Sequence, residues 1–207
     1  MTPPLFLAAA TRVQNRRSEQ ALQIAQGEID LIRTLVERNE QQDANLPDVV
    51  VVTDDGGNPQ NIGPDDLLRD TPAPTALVPN ELKSPNESCN TFDDDGSYYP
   101  DSHLQALEVD IDGDCSSEFF VQYFRDEGTD IPSDDTKPGE FRIGVRVYAI
   151  GAGANLGRLS TQPASLNFTS GEGNQRQRPL AVISTEVVES DSDTSICQYY
   201  DVTTLCN

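Results

Sequence analysis

Between Leu5 and Gln42 the chain contains no proline and one glycine, Gly27, among many Ala, Leu, Gln, Glu and Arg. These residues favour helix, and a run this long leaves few alternatives. Leu22, Ala25, Ile29, Ile32 and Val36 recur at steps of three and four, which places one apolar stripe along a helix. Ile24, Leu31 and Leu35 form a second row that widens it. At about 1.5 Å per residue such a helix would be about 55 Å long, longer than a small core can cover. The expectation is a spine, part packed on a domain and part projecting from it.

Charge divides the chain at the same place. Residues 1–42 hold five arginines (12, 16, 17, 33 and 38) against Glu19, Glu28, Asp30, Glu37 and Glu40, and are neutral. The net charge of −21 therefore lies entirely in residues 43–207. Two parts follow: a helix over 1–42 and an acidic, β-rich domain over 43–207. That balance opposes nucleic acid, whose phosphates call for a basic stripe, and opposes anionic headgroups as partners of the domain.

The domain reads as antiparallel β. Phe141, Ile143, Val145 and Val147 alternate with Arg142, Arg146 and Tyr148, a period of two that predicts a strand with one buried face. Phe119–Phe124, Ser165–Thr169 and Leu180–Val187 are further candidates, and Val49–Val52 a weaker one. No βαβ alternation suggests a parallel sheet. Residues 43–103 are dense in Pro, Asp and Asn and read as a loop region lying against the helix.

The four cysteines, Cys89, Cys115, Cys197 and Cys206, include no CxxC pair and have no histidine at metal-ligand spacing, which argues against zinc. Of three connectivities, Cys89–Cys115 with Cys197–Cys206 is the simplest, and disulfides need an oxidising compartment. In Glu108-Val-Asp-Ile-Asp-Gly-Asp114 carboxylates alternate before and after a glycine, as in calcium loops. An EF-hand does not fit, because Phe119 falls where its bidentate Glu belongs. A looser calcium site would use Asp110, Asp112, Asp114 and Glu118.

Catalytic constellations are scarce. The single histidine, His103, lies in a turn, no GxSxG is present, and Gly151-Ala-Gly-Ala154 lacks the rest of a phosphate loop. Asn86-Glu-Ser88 and Asn167-Phe-Thr169 match the glycosylation pattern. The reading is a protein that is not an enzyme.

The uncharged start Met1–Ala10, the amphipathic helix, the acidic β domain and the C-terminal cysteine pair together resemble a type IV pilin-like protein. Thr11–Arg17, Ala21–Gly27, Gly144–Tyr148, Gln162–Gly171 and Gln175–Ala181 are more narrowly similar to pseudopilins of hormogonium polysaccharide secretion, filament proteins of filamentous cyanobacteria. The resemblance implies an α+β fold, a long N-terminal helix packed on an antiparallel sheet with long acidic loops. It implies a structural subunit that meets other pilins or pseudopilins through its helix and the inner membrane through a segment upstream of Leu5–Ala10. The domain would be periplasmic or carried in a cell-surface filament that supports polysaccharide export. The expected assembly face is Leu22, Ile24, Ile29, Leu31, Ile32 and Leu35. A competing reading is a carbohydrate-binding module on a helical stalk, with Tyr98, Tyr99, Tyr199 and Tyr200 stacking on sugars.

Overall fold

The computed structural model describes residues 4–51, 64–92, 98–131, 134–164 and 176–189. Outside these lie Cys197, Cys206, Tyr199, Tyr200 and the candidate strand Ser165–Thr169 with its Asn167 acceptor pattern. The fold is α+β, as expected. One helix, α1 (Pro4–Glu37), precedes a short helix α2 (Pro64–Asp70) and six strands. The strands are β1 (Ala76–Lys83), β2 (Gln105–Val109), β3 (Phe119–Arg125), β4 (Thr129–Ile131), β5 (Asp134–Ala149) and β6 (Ala181–Val188).

Helix α1 stops at a Schellman turn. Asn39 takes the left-handed conformation, φ 58°, while its N–H donates to Val36 O and the Glu40 N–H to Leu35 O. That local device ends the helix five residues before Gln42, where the composition alone would carry it.

The sheet runs β1-β2-β3-β5, with β6 on the far edge of β5 and β4 pairing the first part of β5 on the β3 side. Every pairing is antiparallel except β1 with β2, which is parallel and irregular between Leu77 and Leu82. The expectation of a wholly antiparallel sheet is corrected at this edge. Pro79 cannot donate to a ladder and Asn80 has φ 61°, so β1 is an edge strand by chemistry as well as by position. The stretch read as loop from 43 to 103 thus contributes both α2 and β1, whereas Val49 makes only an isolated bridge to Arg125.

Odd-numbered residues of β3 and β5 face α1. Phe119, Val121, Tyr123, Phe141, Ile143, Val145 and Val147 form one core with Ala21, Ala25, Ile29, Ile32, Leu35 and Val36. Helix and sheet therefore share a core.

The opposite face was expected to meet water, yet Arg146 and Tyr148 are fully buried. Phe120 stacks on Tyr148 at 5.1 Å between ring centroids, beside Ala106 and Ala152. Phe124 lies over Gly144, where a Cβ would come within 2.2 Å of its ring, so this strand position accepts only glycine. The Arg146 guanidinium sits 4.6 Å from the Phe124 ring centroid and donates to the carbonyls of Leu68, Thr71 and Pro72 and to Gln122 Oε1. A cation is well placed there, because the end of α2 turns its unsatisfied carbonyls toward it. Gln122 Nε2 adds bonds to Pro72 O and His103 O. This face is thus covered by a mixture of aromatic packing and satisfied polar groups.

Arg146→Ala should lower stability by about 3 kcal/mol, since it strips buried carbonyls of their donors. Arg146→Lys should lose less, keeping a charge but not the forked geometry. Urea unfolding measures both; equal stability of Arg146→Ala and the parent would remove this cation from the account of the fold.

Candidate functional site

Two places join the residues singled out in the sequence: the surface of α1, and the loop between β2 and β3.

Among the described side chains of α1 the first buried one is Ala21, and residues 12–20 are exposed or half-exposed. The helix has 34 residues, and the stretch from Arg12 to Gln20, about 13 Å of it, holds no buried side chain. Of the six residues expected on an assembly face, three are corrected. Ile29, Ile32 and Leu35 are buried within their own subunit's core and offer nothing to a neighbour. Ile24 and Leu31 are half-buried against that core. Leu22 is 44% exposed, and Val13, which the sequence reading passed over, is 56% exposed. Leu22 continues the stripe at a step of three from Ala25, but the core takes Ala21 instead, one position round the helix. Periodicity alone cannot tell those neighbours apart. Among the described residues no helix is long and apolar enough to cross a membrane.

The β2–β3 loop is held by its own carboxylates. Asp110 is buried, and its Oδ1 accepts the N–H of Asp112 (3.1 Å) and of Gly113 (2.8 Å). Its Oδ2 accepts Ser84 Oγ (2.8 Å) and the Cys115 N–H (2.9 Å). Loss of water raises the Asp110 pKa, but the bonds from Ser84, Gly113, Cys115 and Asp112 outweigh it, and the carboxyl lies below its ordinary value. Asp112 Oδ1 accepts the Asp114 N–H, Asp114 Oδ1 the Ser116 N–H, and Glu118 Oε2 the Ile111 N–H. Gly113 and Cys115 supply the left-handed turns, with φ 79° and 70°.

Asp110, Asp112, Asp114 and Glu118 are the residues that could hold a divalent cation, with one oxygen from each within 4.8 Å of the others. The test of fit is what those oxygens already do. Each of the four accepts at least one backbone N–H, and Asp110 uses both oxygens. The protein's own donors organise the loop.

The cysteine pairing Cys89–Cys115 is present, joining this loop to the turn after β1. Asn86 reinforces the clasp, donating to Gly113 O (2.9 Å) and accepting the Ser88 N–H. The first glycosylation pattern therefore falls on an asparagine engaged on both sides of its amide.

Other functional-looking residues prove to be ties between elements. His103 Nδ1 lies 2.6 Å from Asp48 Oδ2, which also accepts the His103 N–H. Lys83 reaches from the end of β1 to the buried Glu28 of α1 at 2.7 Å. Tyr99, one of the tyrosines considered for sugar stacking, is buried edge-on against Tyr123 at 5.0 Å. Burial, then the nearby Glu28, pushes both phenols well above their ordinary pKa. Nothing in the sequence marks Lys83 and Glu28 as partners, since 55 residues separate them.

Comparison of the chain with family models, curated proteins and solved structures finds no match.

Two outcomes test the clasp. Replacing both Cys89 and Cys115 by serine should lower stability by up to about 3.5 kcal/mol, the entropy of closing a 26-residue separation, read by denaturant unfolding. The Asp110 contribution should be complete above its unfolded pKa, near the ordinary 3.8, and drain away as pH falls through its lower folded value. Thermal melting between about pH 5 and 2 should therefore show a shallower acid loss for Asp110→Asn than for the parent; parallel curves would contradict it.

Proposed function

We propose that this chain is a structural subunit of a type IV pilin-like filament, a pseudopilin supporting polysaccharide export, with α1 as its assembly element. One observation carries the reading: α1 is continuous for 34 residues, and from Arg12 to Gln20 none of its side chains is buried. An isolated helix in water is marginal, and most helical stability in proteins comes from packing. A second partner for the upstream part supplies that packing. Val13 and Leu22 lie on this stretch, exposed and apolar, and adjoining subunits bury such residues by helix-on-helix contact.

Two further points agree. The Cys89–Cys115 bond suits an oxidising space such as the periplasm. Neutral charge over residues 1–42, beside a domain at −21, keeps repulsion low where helices approach. In this reading an apolar segment ahead of α1 anchors the subunit in the inner membrane until it enters the filament.

The test separates assembly from folding. Val13→Glu and Leu22→Glu should leave melting of the domain unchanged within about 0.5 kcal/mol, since both side chains are exposed. Both should block incorporation and export. Val145→Glu should unfold the domain, because an unpaired buried charge costs several kcal/mol. Normal export by both helix variants would sink the filament reading.

A further inference from the structure

Two patches of opposite sign lie toward the two ends of α1. Near its start, Arg12, Arg16 and Arg17 are exposed and precede the first carboxylate of the chain, Glu19. Arg12 and Arg16, four residues apart, share a face. Among the described residues none of the three joins an ion pair.

Near its other end, α1 and β6 flank a groove of about 270 Å³. It is lined by the apolar Val36, Val187 and Val188 and by the carboxylates of Glu37, Glu186 and Glu189. The guanidinium at this groove, Arg33, is bound to Asp30 at 3.3 Å and reaches Thr185 Oγ1 at 3.4 Å. Glu186 shares Arg142 with Asp126. Glu189 Oε2 is shielded from water and lacks a hydrogen-bond partner among the described residues. A carboxylate oxygen in that position is stabilised by a cation brought to it.

The cation cannot come from the same copy's Arg patch. Arg17 and Glu37 are twenty residues apart on one helix, about 30 Å. We propose that the groove between the C-terminal end of α1 and β6 receives the Arg12–Arg16 face of α1 of a second copy of this chain, with Arg17 adding to its positive charge. The inference rests on the assembly reading above and names the contact. Both patches lie along α1 itself, so sliding one copy parallel to another by about 30 Å brings arginines onto carboxylates. Unstaggered parallel copies would not match the patches. Antiparallel copies side by side would match them, and the filament reading, which needs parallel helices, selects the slid parallel arrangement. In that parallel arrangement the contact is heterologous: each copy offers one half to either neighbour, and the series continues, whereas an antiparallel pair would close on itself.

The experiment uses the full chain. Self-association is measured by sedimentation at low and high salt for the parent, R12E/R16E/R17E, E37R/E189R and the combination of all five reversals. Each set alone should weaken association about tenfold or more, and the combination should return to within about threefold of the parent. High salt should weaken the parent, and melting curves should coincide for all four proteins.

The proposal is overturned if either set alone associates like the parent, or if the combination is no better than the separate sets. It is also overturned if the parent stays monomeric at about 1 mM in low salt. Loss of binding to phosphatidylglycerol vesicles by R12E/R16E/R17E, with association intact, would assign the arginines to lipid headgroups and overturn it too. V13E/L22E separates the two readings. If this variant fails to assemble while the charge reversals assemble normally, the filament reading stands and this contact falls. If neither apolar nor charged variants change assembly, both fall.

Discussion

The seam between α1 and the sheet is the contact on which the rest of the molecule depends. Ala21 and Ala25, both fully buried, let the helix backbone approach closely, and Ile29, Ile32 and Val36 then fill the widening space over β5 and β6. Because residues 12–20 hold no buried side chain while Ala21 and Ala25 are fully buried, packing fixes which side chains of this stretch stand clear of the core. The Glu28–Lys83 pair ties the helix toward the β1 edge, at a position where burial beside Tyr99 and Tyr123 makes an unpaired carboxylate costly. Its Coulombic gain is modest after desolvation; what it adds is a fixed placement across the sheet.

The other face works by different chemistry. Two small apolar clusters, around Phe120 with Tyr148 and around Phe124 with Leu67, cover part of it. Between and beside them, buried arginines hold irregular backbone. Arg146 gathers the carbonyls at the end of α2, and Arg125 donates to Pro47 O and Asp126 O and pairs with Asp43. Burial lowers both pKa values; at Arg125 the opposing charge of Asp43 works against that, whereas Arg146 is surrounded by the carbonyl oxygens of Leu68, Thr71 and Pro72 and by Gln122. Tyr148, pushed up to about 12 by burial against the opposing effect of Arg146, stays a neutral neighbour and donates to Ser160 O. The long connections are therefore fastened at points, each a cation inside a ring of oxygens.

This division explains what could be read from the sequence. The apolar seam follows periodicity, so α1, β3, β5 and β6 stand out in the pattern, as does the simplest partner for Cys89. The polar face hides from the same reading, since an arginine between valines looks like a solvent-facing position. Arg146 shows its role only when Leu68, Thr71 and Pro72, more than seventy residues earlier, are brought beneath it. Strand β1 escapes for a related reason: Pro79 and Asn80 read as loop, and a parallel partner distant in sequence provides no hairpin signal. On α1 the stripe was legible but its phase was not. Ile29, Ile32 and Leu35 satisfy the helical period whether they face a sheet or a neighbour, and only the sheet's position decides.

The carboxylates follow the same logic as the arginines. A net charge of −21 would strain a compact domain if every acid pointed into a common field. In the β2–β3 loop the acids are turned onto backbone N–H groups that the sharp turns leave unpaired, which converts part of the excess charge into loop order. Along α1, by contrast, Val13 and Leu22 are exposed beside arginines outside any ion pair among the described residues. Apolar contact supplies association without direction, whereas charge sets register and partner. A helix bearing both, spaced along one rigid rod, offers the two kinds of contact that the proposed stacking of identical subunits would use.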